Sequence, residues 1–296
     1  MTSLIGALLD TFQASRAQWR QVRSTVGVAG AHDGLAGIHS LHHVRAFMRL
    51  QGKRAVVTGA AGALGRVIAD ALAAEGAHVA GLDLNASGLE QTSACVASHG
   101  VKALGTAVDL TNFDAVQAAV AGIVDEWGGV DILLNGAGGG TVSFFHEMSY
   151  QTWTTQIDRN LNSVFNVTRA VLPSMLEQRF GRIISIASIA AVSGGRLVRG
   201  ATAYATAKAG VVGLTKSLAI EVAEAGITVN CLAPGAQGTS ARDNDTPERR
   251  EALLSQIPTR LLGRPEDLAQ TVVYLAAPES VNVTGVILPL DGGHSI

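Results

Sequence analysis

Tyr204 and Lys208 stand one helical turn apart in the run Tyr204-Ala205-Thr206-Ala207-Lys208. Residues four apart share a helix face, so a phenol and an ammonium can enter the same cleft. A free phenol titrates near ~10 and is a poor base at neutral pH. A nearby ammonium favours the phenolate and is expected to lower that value. Tyr204 could then take a proton from an alcohol as hydride leaves it, or return the proton in reduction. Ser188 follows an apolar run upstream of the pair; its hydroxyl could bond the reacting oxygen and stabilise charge developing there. Asn160, in the helical pattern Ile157–Ala170, could anchor a water between Lys208 and solvent.

A Tyr-x-x-x-Lys pair by itself is an ordinary feature of a solvated helix; its meaning here comes from what precedes it. Thr58-Gly59-Ala60-Ala61-Gly62-Ala63-Leu64-Gly65 follows one apolar run and opens a helical one. Small residues there let the backbone turn tightly against a pyrophosphate, which the N–H groups and positive dipole end of the helix can hold. Asp83 ends the next apolar run, 24 residues after Gly59, where a carboxylate can accept hydrogen bonds from adenosine ribose hydroxyls. That carboxylate would repel a 2′-phosphate, and residues 84–88, which begin with Leu84, contain no Lys or Arg. The expected cofactor is therefore NAD rather than NADP. Asp109-Leu110 is expected near the adenine, and Asn135-Gly136-Ala137-Gly138 under the cofactor backbone, because ligands of open α/β sheets lie at strand C-terminal ends.

The elements that must position these groups are legible as alternating patterns. Strands are expected at Ala55–Thr58, His78–Asp83, Lys102–Val108, Ile132–Asn135, Arg182–Ala187, Thr228–Ala233 and Val286–Leu290. Helical periodicity lies between them, as in Leu64–Ala74 and Asp114–Trp127. Strands alternating with helices imply βαβ units. The expected fold is therefore α/β, a doubly wound Rossmann sheet of seven parallel strands with helices on both faces. No linker or repeat interrupts this, so one oxidoreductase domain is expected over 48–296.

The composition agrees. Hydrophobic residues make up 47% of the 296 positions, charged ones 16%, with 34 Gly; such a mixture suits buried parallel strands. The net charge of −2 offers no field for nucleic acid or an anionic membrane, and no apolar run is long enough for a membrane span. Cys95 and Cys231 match no metal or redox spacing, and neither metal nor disulfide is expected. Residues 1–47 stand apart: four Arg, two Asp and four of the eight His. Leu4, Ile5, Leu8, Leu9 and Phe12 give this stretch a short amphipathic pattern. An N-terminal extension, partly helical or flexible, is expected there; a transit peptide or an extended reading frame before Met48 are alternatives. The expected location is cytoplasmic.

In the order and spacing of these pieces the sequence resembles the short-chain dehydrogenase/reductase family. The likeness spans about residues 48–296 and includes Thr58–Gly65, Asp83, Asp109-Leu110, Asn135–Gly138, Asn160, Ser188 and Tyr204/Lys208. It continues with Asn230, Pro234-Gly235, Gly263–Asp267, Thr284-Gly285 and Asp291–Gly293. The resemblance implies a tetrad of Asn160, Ser188, Tyr204 and Lys208, and a nicotinamide contact made by Pro234, Gly235, Gln237 and Thr239. It also implies cofactor contacts at Gly59, Gly62, Ala63, Leu64, Gly65, Asp83, Leu84, Asp109, Leu110, Asn135, Ala137 and Gly138, and a homotetramer or homodimer. There are departures: Ala63 and Gly136 replace usual residues, Gln237 replaces an aliphatic one, and Ser188 precedes Tyr204 by 16 positions where about 13 is usual, which makes Ser193 the alternative serine.

The expected partner is a small-molecule secondary alcohol or ketone. Gly139–Glu147, Ile189–Ala203 and Ser240–Arg260 should shape its pocket, the last as a lid. Arg196 and Arg199 could clamp a substrate carboxylate or phosphate, and His146 could line the pocket; solvated surface positions are the plainer reading of all three. The rival functions are an NADPH-dependent 3-oxoacyl-thioester reductase and a nucleotide-sensing protein that has lost the chemistry.

Overall fold

The computed structural model describes residues 48–194 and 199–296. The expected N-terminal amphipathic pattern and Arg196 lie outside the described residues. Seven strands form the sheet: β1 Arg54–Thr58, β2 His78–Asp83, β3 Ala103–Ala107, β4 Ile132–Asn135, β5 Gly181–Ile186, β6 Ile227–Pro234 and β7 Ile287–Leu290. They lie in the order β3-β2-β1-β4-β5-β6-β7, every neighbouring pair parallel. Each end falls within one residue of its sequence expectation.

The helices between them are α1 Ala63–Ala74, α2 Ala86–Ala97, α3 Phe113–Trp127, α4 Tyr150–Ile157 and α5 Ser163–Gln178. After β5 come α6 Ala190–Ser193 and α7 Thr202–Val222; α8 Pro247–Ser255 and α9 Pro265–Ala276 follow β6. The central strands are buried on both faces, which is why they read as unbroken apolar runs rather than alternating ones. Their side chains nevertheless divide strictly: Ala55, Val57, Ile132, Leu134, Ile184 and Leu232 pack with α1 and α9. Val56, Leu133, Ile183 and Val229 pack with α3 and α5. Truncating one of the fully buried leucines to alanine costs ~2–5 kcal/mol, so the sheet is a rigid platform for what its C-terminal ends carry.

The strand order reverses between β1 and β4, and there the crevice opens. Asn85 caps α2 through Gly88 N–H and Asn112 caps α3 through Ala115 N–H. α1 starts after Gly62 with no side-chain cap, so its first-turn N–H groups are left to a ligand. The expected helix over Ile157–Ala170 is instead α4, a π-turn at Asp158–Asn162, and α5. Among the described residues no helix is long and apolar enough to cross a membrane, and no group of His, Cys, Asp and Glu is placed to hold a metal ion.

Candidate active site

The crevice is a cleft of about 690 Å³ along the β1–β4 switch point. Gly59, Gly62, Ala63, Leu64 and Gly65 form one wall, and Asp83, Leu84, Asp109 and Leu110 one end. Gly136, Ala137 and Gly138 line it where the β4 end packs against Gly59, and Gly235, Gln237 and Thr239 line it after β6. Gly59 has φ +69°, and a Cβ there would lie 2.9 Å from Ala137 Cα. A Cβ on Gly65 would run into the Gly59 carbonyl oxygen. The turn thus requires glycine for its backbone at one position and for helix–loop contact at the other. This cradle, open at an uncapped helix N-terminus, fits a dinucleotide pyrophosphate.

The Asp83 carboxylate is already engaged: Oδ2 accepts from Ala61 N–H at 3.1 Å and Oδ1 from Asn85 N–H at 3.0 Å. It therefore fixes the phosphate loop as well as facing the cleft. Thr58 does similar work from β1. Its Oγ1 accepts from Gly136 N–H at 2.9 Å and Ala137 N–H at 3.1 Å and donates to the Leu134 carbonyl at 3.3 Å, tying the two strand ends together. Asp109 turns onto its own loop through Thr111 N–H and Oγ1, while Asn166 Nδ2, from α5, holds the Leu110 carbonyl at 2.9 Å.

Asn135 and Pro234 are placed differently from the rest. The Asn135 amide is buried and donates to Thr168 Oγ1 and Ser185 Oγ; it braces the floor beneath the cleft and does not line it. Pro234 is buried at the end of β6, and the cleft surface begins at Gly235. Gln237 forms a parallel bridge with Gly263, and its Oε1 is buried without a partner.

The tetrad converges beside the Gly138 loop. Lys208 Nζ donates to the Ile186 carbonyl at 2.7 Å and lies 5.8 Å from the Tyr204 ring centroid. Ser188, two residues beyond β5, accepts from Ala190 N–H at 3.1 Å, which leaves its O–H to the phenol oxygen. Asn160, fully buried in the π-turn, accepts from Gly139 N–H at 2.9 Å. Its Nδ2 donates to the carbonyls of Gly139 at 3.0 Å and Gln156 at 2.9 Å. A π-turn loosens the backbone ladder, and here the Asn160 amide takes the Gln156 carbonyl in its place. Ser193, the alternative serine, has a buried hydroxyl without a partner, and it is Ser188 that acts on Tyr204.

Electrostatics departs from expectation at Tyr204. Burial holds its phenol above the ordinary value, with the Ser188 hydroxyl pulling the other way; Lys208 does not lower it. The physical reason lies in Lys208 itself, which burial pushes down to about 8. Desolvation disfavours charge on both members of the pair. Arg199 and His146 are exposed, and His146 is 3.4 Å from Glu147. Thr58 and Gly140 fall inside stretches that the sequence marks, but the bracing role of Thr58, and of Gln156 and Asn166, is not legible there. A polar residue ending an apolar strand, or lying on the buried stripe of a helix, was the available signal for these three.

Residues 53–250 match the short chain dehydrogenase family. The chain belongs to that family. It is 41% identical over 246 residues to 3-oxoacyl-[acyl-carrier-protein] reductase FabG of Vibrio cholerae, a match covering 83% of this chain and 98% of that protein. It is 39% identical over 249 residues to (2S)-[(R)-hydroxy(phenyl)methyl]succinyl-CoA dehydrogenase subunit BbsD of Thauera aromatica, covering 84% and 99%. Among solved structures, NAD+-bound xylitol dehydrogenase superposes with a TM-score of 0.77 at 31% identity, covering 83% of this chain and all of that one. This short-chain dehydrogenase is therefore an oxidoreductase with a nicotinamide-type dinucleotide fold.

Proposed function

We propose that the chain moves hydride between NAD(H) and the 3-hydroxy/3-oxo carbon of an acyl thioester, with Tyr204 as general acid and base. The observation that carries the reaction class is the convergence of Tyr204, Lys208, Ser188 and Asn160 beside the glycine cradle. When bound, the nicotinamide takes up or releases the hydride. Tyr204 exchanges the alcohol proton, Ser188 steadies the substrate oxygen, and Lys208 and the loop over Gly138 hold the ribose side. Asp83 supports NAD: its carboxylate faces the ribose end of the cleft, where a 2′-phosphate would meet like charge. The thioester rests on the relatives, since both the FabG reductase and BbsD are named for acyl-carrier-protein or CoA thioesters.

In this reading 48–296 is the complete catalytic domain, 1–47 an appended segment, and the working form a homotetramer or homodimer in the cytoplasm. A second reading, an NADPH-dependent 3-oxoacyl-thioester reductase, is favoured by the reductase names among the relatives. Nicotinamide absorbance with acetoacetyl-CoA and 3-hydroxybutyryl-CoA, read with both cofactors in the wild type and Tyr204→Phe, separates them. The expected result is turnover with NAD(H) that falls by at least about a hundredfold in the variant. NADPH preference with the same loss would install the second reading, and turnover that survives in Tyr204→Phe would refute the base assignment.

A further inference from the structure

The loop Gly139–Thr141 runs across the Tyr204 ring, and the chain clamps it on both sides of Gly140. Upstream, Gly139 is held at N–H and carbonyl by Asn160. Downstream, the buried Gln156 side chain holds Thr141: Oε1 accepts from Thr141 N–H at 3.4 Å and Nε2 donates to Thr141 Oγ1 at 3.2 Å. Between the clamps, Gly140 lies so close to the ring that a Cβ there would sit 3.1 Å from Tyr204 Cγ. Gln156 is 2% exposed although it belongs to α4, a short helix whose other residues keep some solvent contact. A buried amide must find partners for both its polar ends, and here both go to the exposed Thr141.

We propose that Gln156 is a positioning residue for catalysis, holding Gly140 flat on the Tyr204 ring so that the phenol keeps one rotamer and one degree of dryness. This rests on the reading of Tyr204 as acid and base. Among the described residues, the groups that face Tyr204 are Lys208 on its own helix, the Ser188 hydroxyl after β5, and the uncharged Gly139–Thr141 loop. Loosening the loop therefore changes solvation of the phenol and adds no charge. Because burial is what raises Tyr204, a wetter ring titrates lower, and the alcohol-oxidation profile, which rises as the phenol deprotonates, should move to lower pH.

The test compares wild type, Gln156→Leu, Gln156→Glu and Tyr204→Phe in 3-hydroxybutyryl-CoA oxidation with NAD. Gln156→Leu should lower kcat by about ten- to a hundredfold, as expected for a misplaced catalytic group, leave the NAD dissociation constant unchanged by fluorescence titration, and shift the profile to lower pH. Gln156→Glu, whose carboxylate can accept from both the Thr141 N–H and its hydroxyl, should restore most of kcat. Should Gln156→Leu fail to fold, Thr141→Val, at an exposed residue, should give the same pH shift with a smaller loss. Unchanged kcat and profile in the folded variant, or a loss that the glutamate does not rescue, overturns the proposal. Activity retained in Tyr204→Phe would instead overturn the reading on which it rests.

Discussion

Replacing Asp83 by alanine tests the cofactor assignment most directly. In the present structure its carboxylate accepts from Ala61 and Asn85 N–H groups at 3.1 and 3.0 Å while facing the cleft. A ribose hydroxyl bonded to a charged acceptor is worth ~1.5–3 kcal/mol, so its loss should lower kcat/KM for NAD by about 13- to 160-fold. A 2′-phosphate at the same place meets a like charge. At about 4 Å, two unit charges repel by ~1–4 kcal/mol between bulk-water and near-surface dielectric. Asp83 is partly buried, which places the effect near the middle of that range, or about 2 kcal/mol. Removing the carboxylate therefore moves the NAD:NADP ratio of kcat/KM by about three orders of magnitude in favour of NADP. Steady-state rates with both cofactors at fixed ionic strength measure it. A ratio that moves less than about tenfold would remove Asp83 from cofactor selection and leave it only as a brace for the phosphate loop. Asp83→Asn, which keeps an acceptor and drops the charge, separates the two roles.

Gly59→Ala forces a side chain into a left-handed backbone against Ala137, a cost of at least ~1–2 kcal/mol. It should depress the melting temperature and abolish the gain in melting temperature that saturating NAD gives the wild type. Thr58→Val keeps the shape of β1 but leaves the Gly136 and Ala137 N–H groups without their acceptor. At ~1–3 kcal/mol for each unsatisfied donor, chemical denaturation should show a clear loss of stability, and NAD should bind more weakly; an unchanged midpoint would mean that water replaces the hydroxyl.

The sheet was legible because parallel strands covered on both faces read as unbroken apolar runs. Each strand end was located within a residue, and the glycine loop, Asp83 and the Tyr204/Lys208 pair fall where their spacing places them. What was hidden depends on side-chain direction. Asn135 looked like a cofactor contact and turned inward to Thr168 and Ser185, since sequence position fixes a strand end but not which side of it a long amide satisfies. The π-turn at Asp158–Asn162 was hidden too, because one extra residue in a helical turn barely disturbs a 3.6 periodicity. Gln156 and Thr141 are 15 residues apart, and no local pattern joins them.

The pair at the centre of the site also bears on direction and pH. Burial acts on Tyr204 and Lys208 in the same sense, away from charge: the phenol is held up and the ammonium is pushed down to about 8. Up to that pH Tyr204 stays protonated and Lys208 charged, a state ready to donate a proton to an oxygen receiving hydride. With rising pH Lys208 titrates first. Ketone reduction should therefore begin to fall near pH 8 through loss of the ammonium, well before the phenol ionises. The same shift has a stability sign. The unfolded lysine holds its proton up to 10.5 and the folded one only to about 8. Stability is thus lowest below pH 8 and rises between those values, by on the order of 3 kcal/mol for this group. Lys208→Arg decides the assignment, since a guanidinium keeps its charge throughout the range. The variant should be slower, because its fork cannot reproduce the Ile186 contact, and its reduction profile should be flat through pH 8. A limb that persists there in the arginine variant would place the titration elsewhere, and with it the source of the ammonium's hold on the reaction.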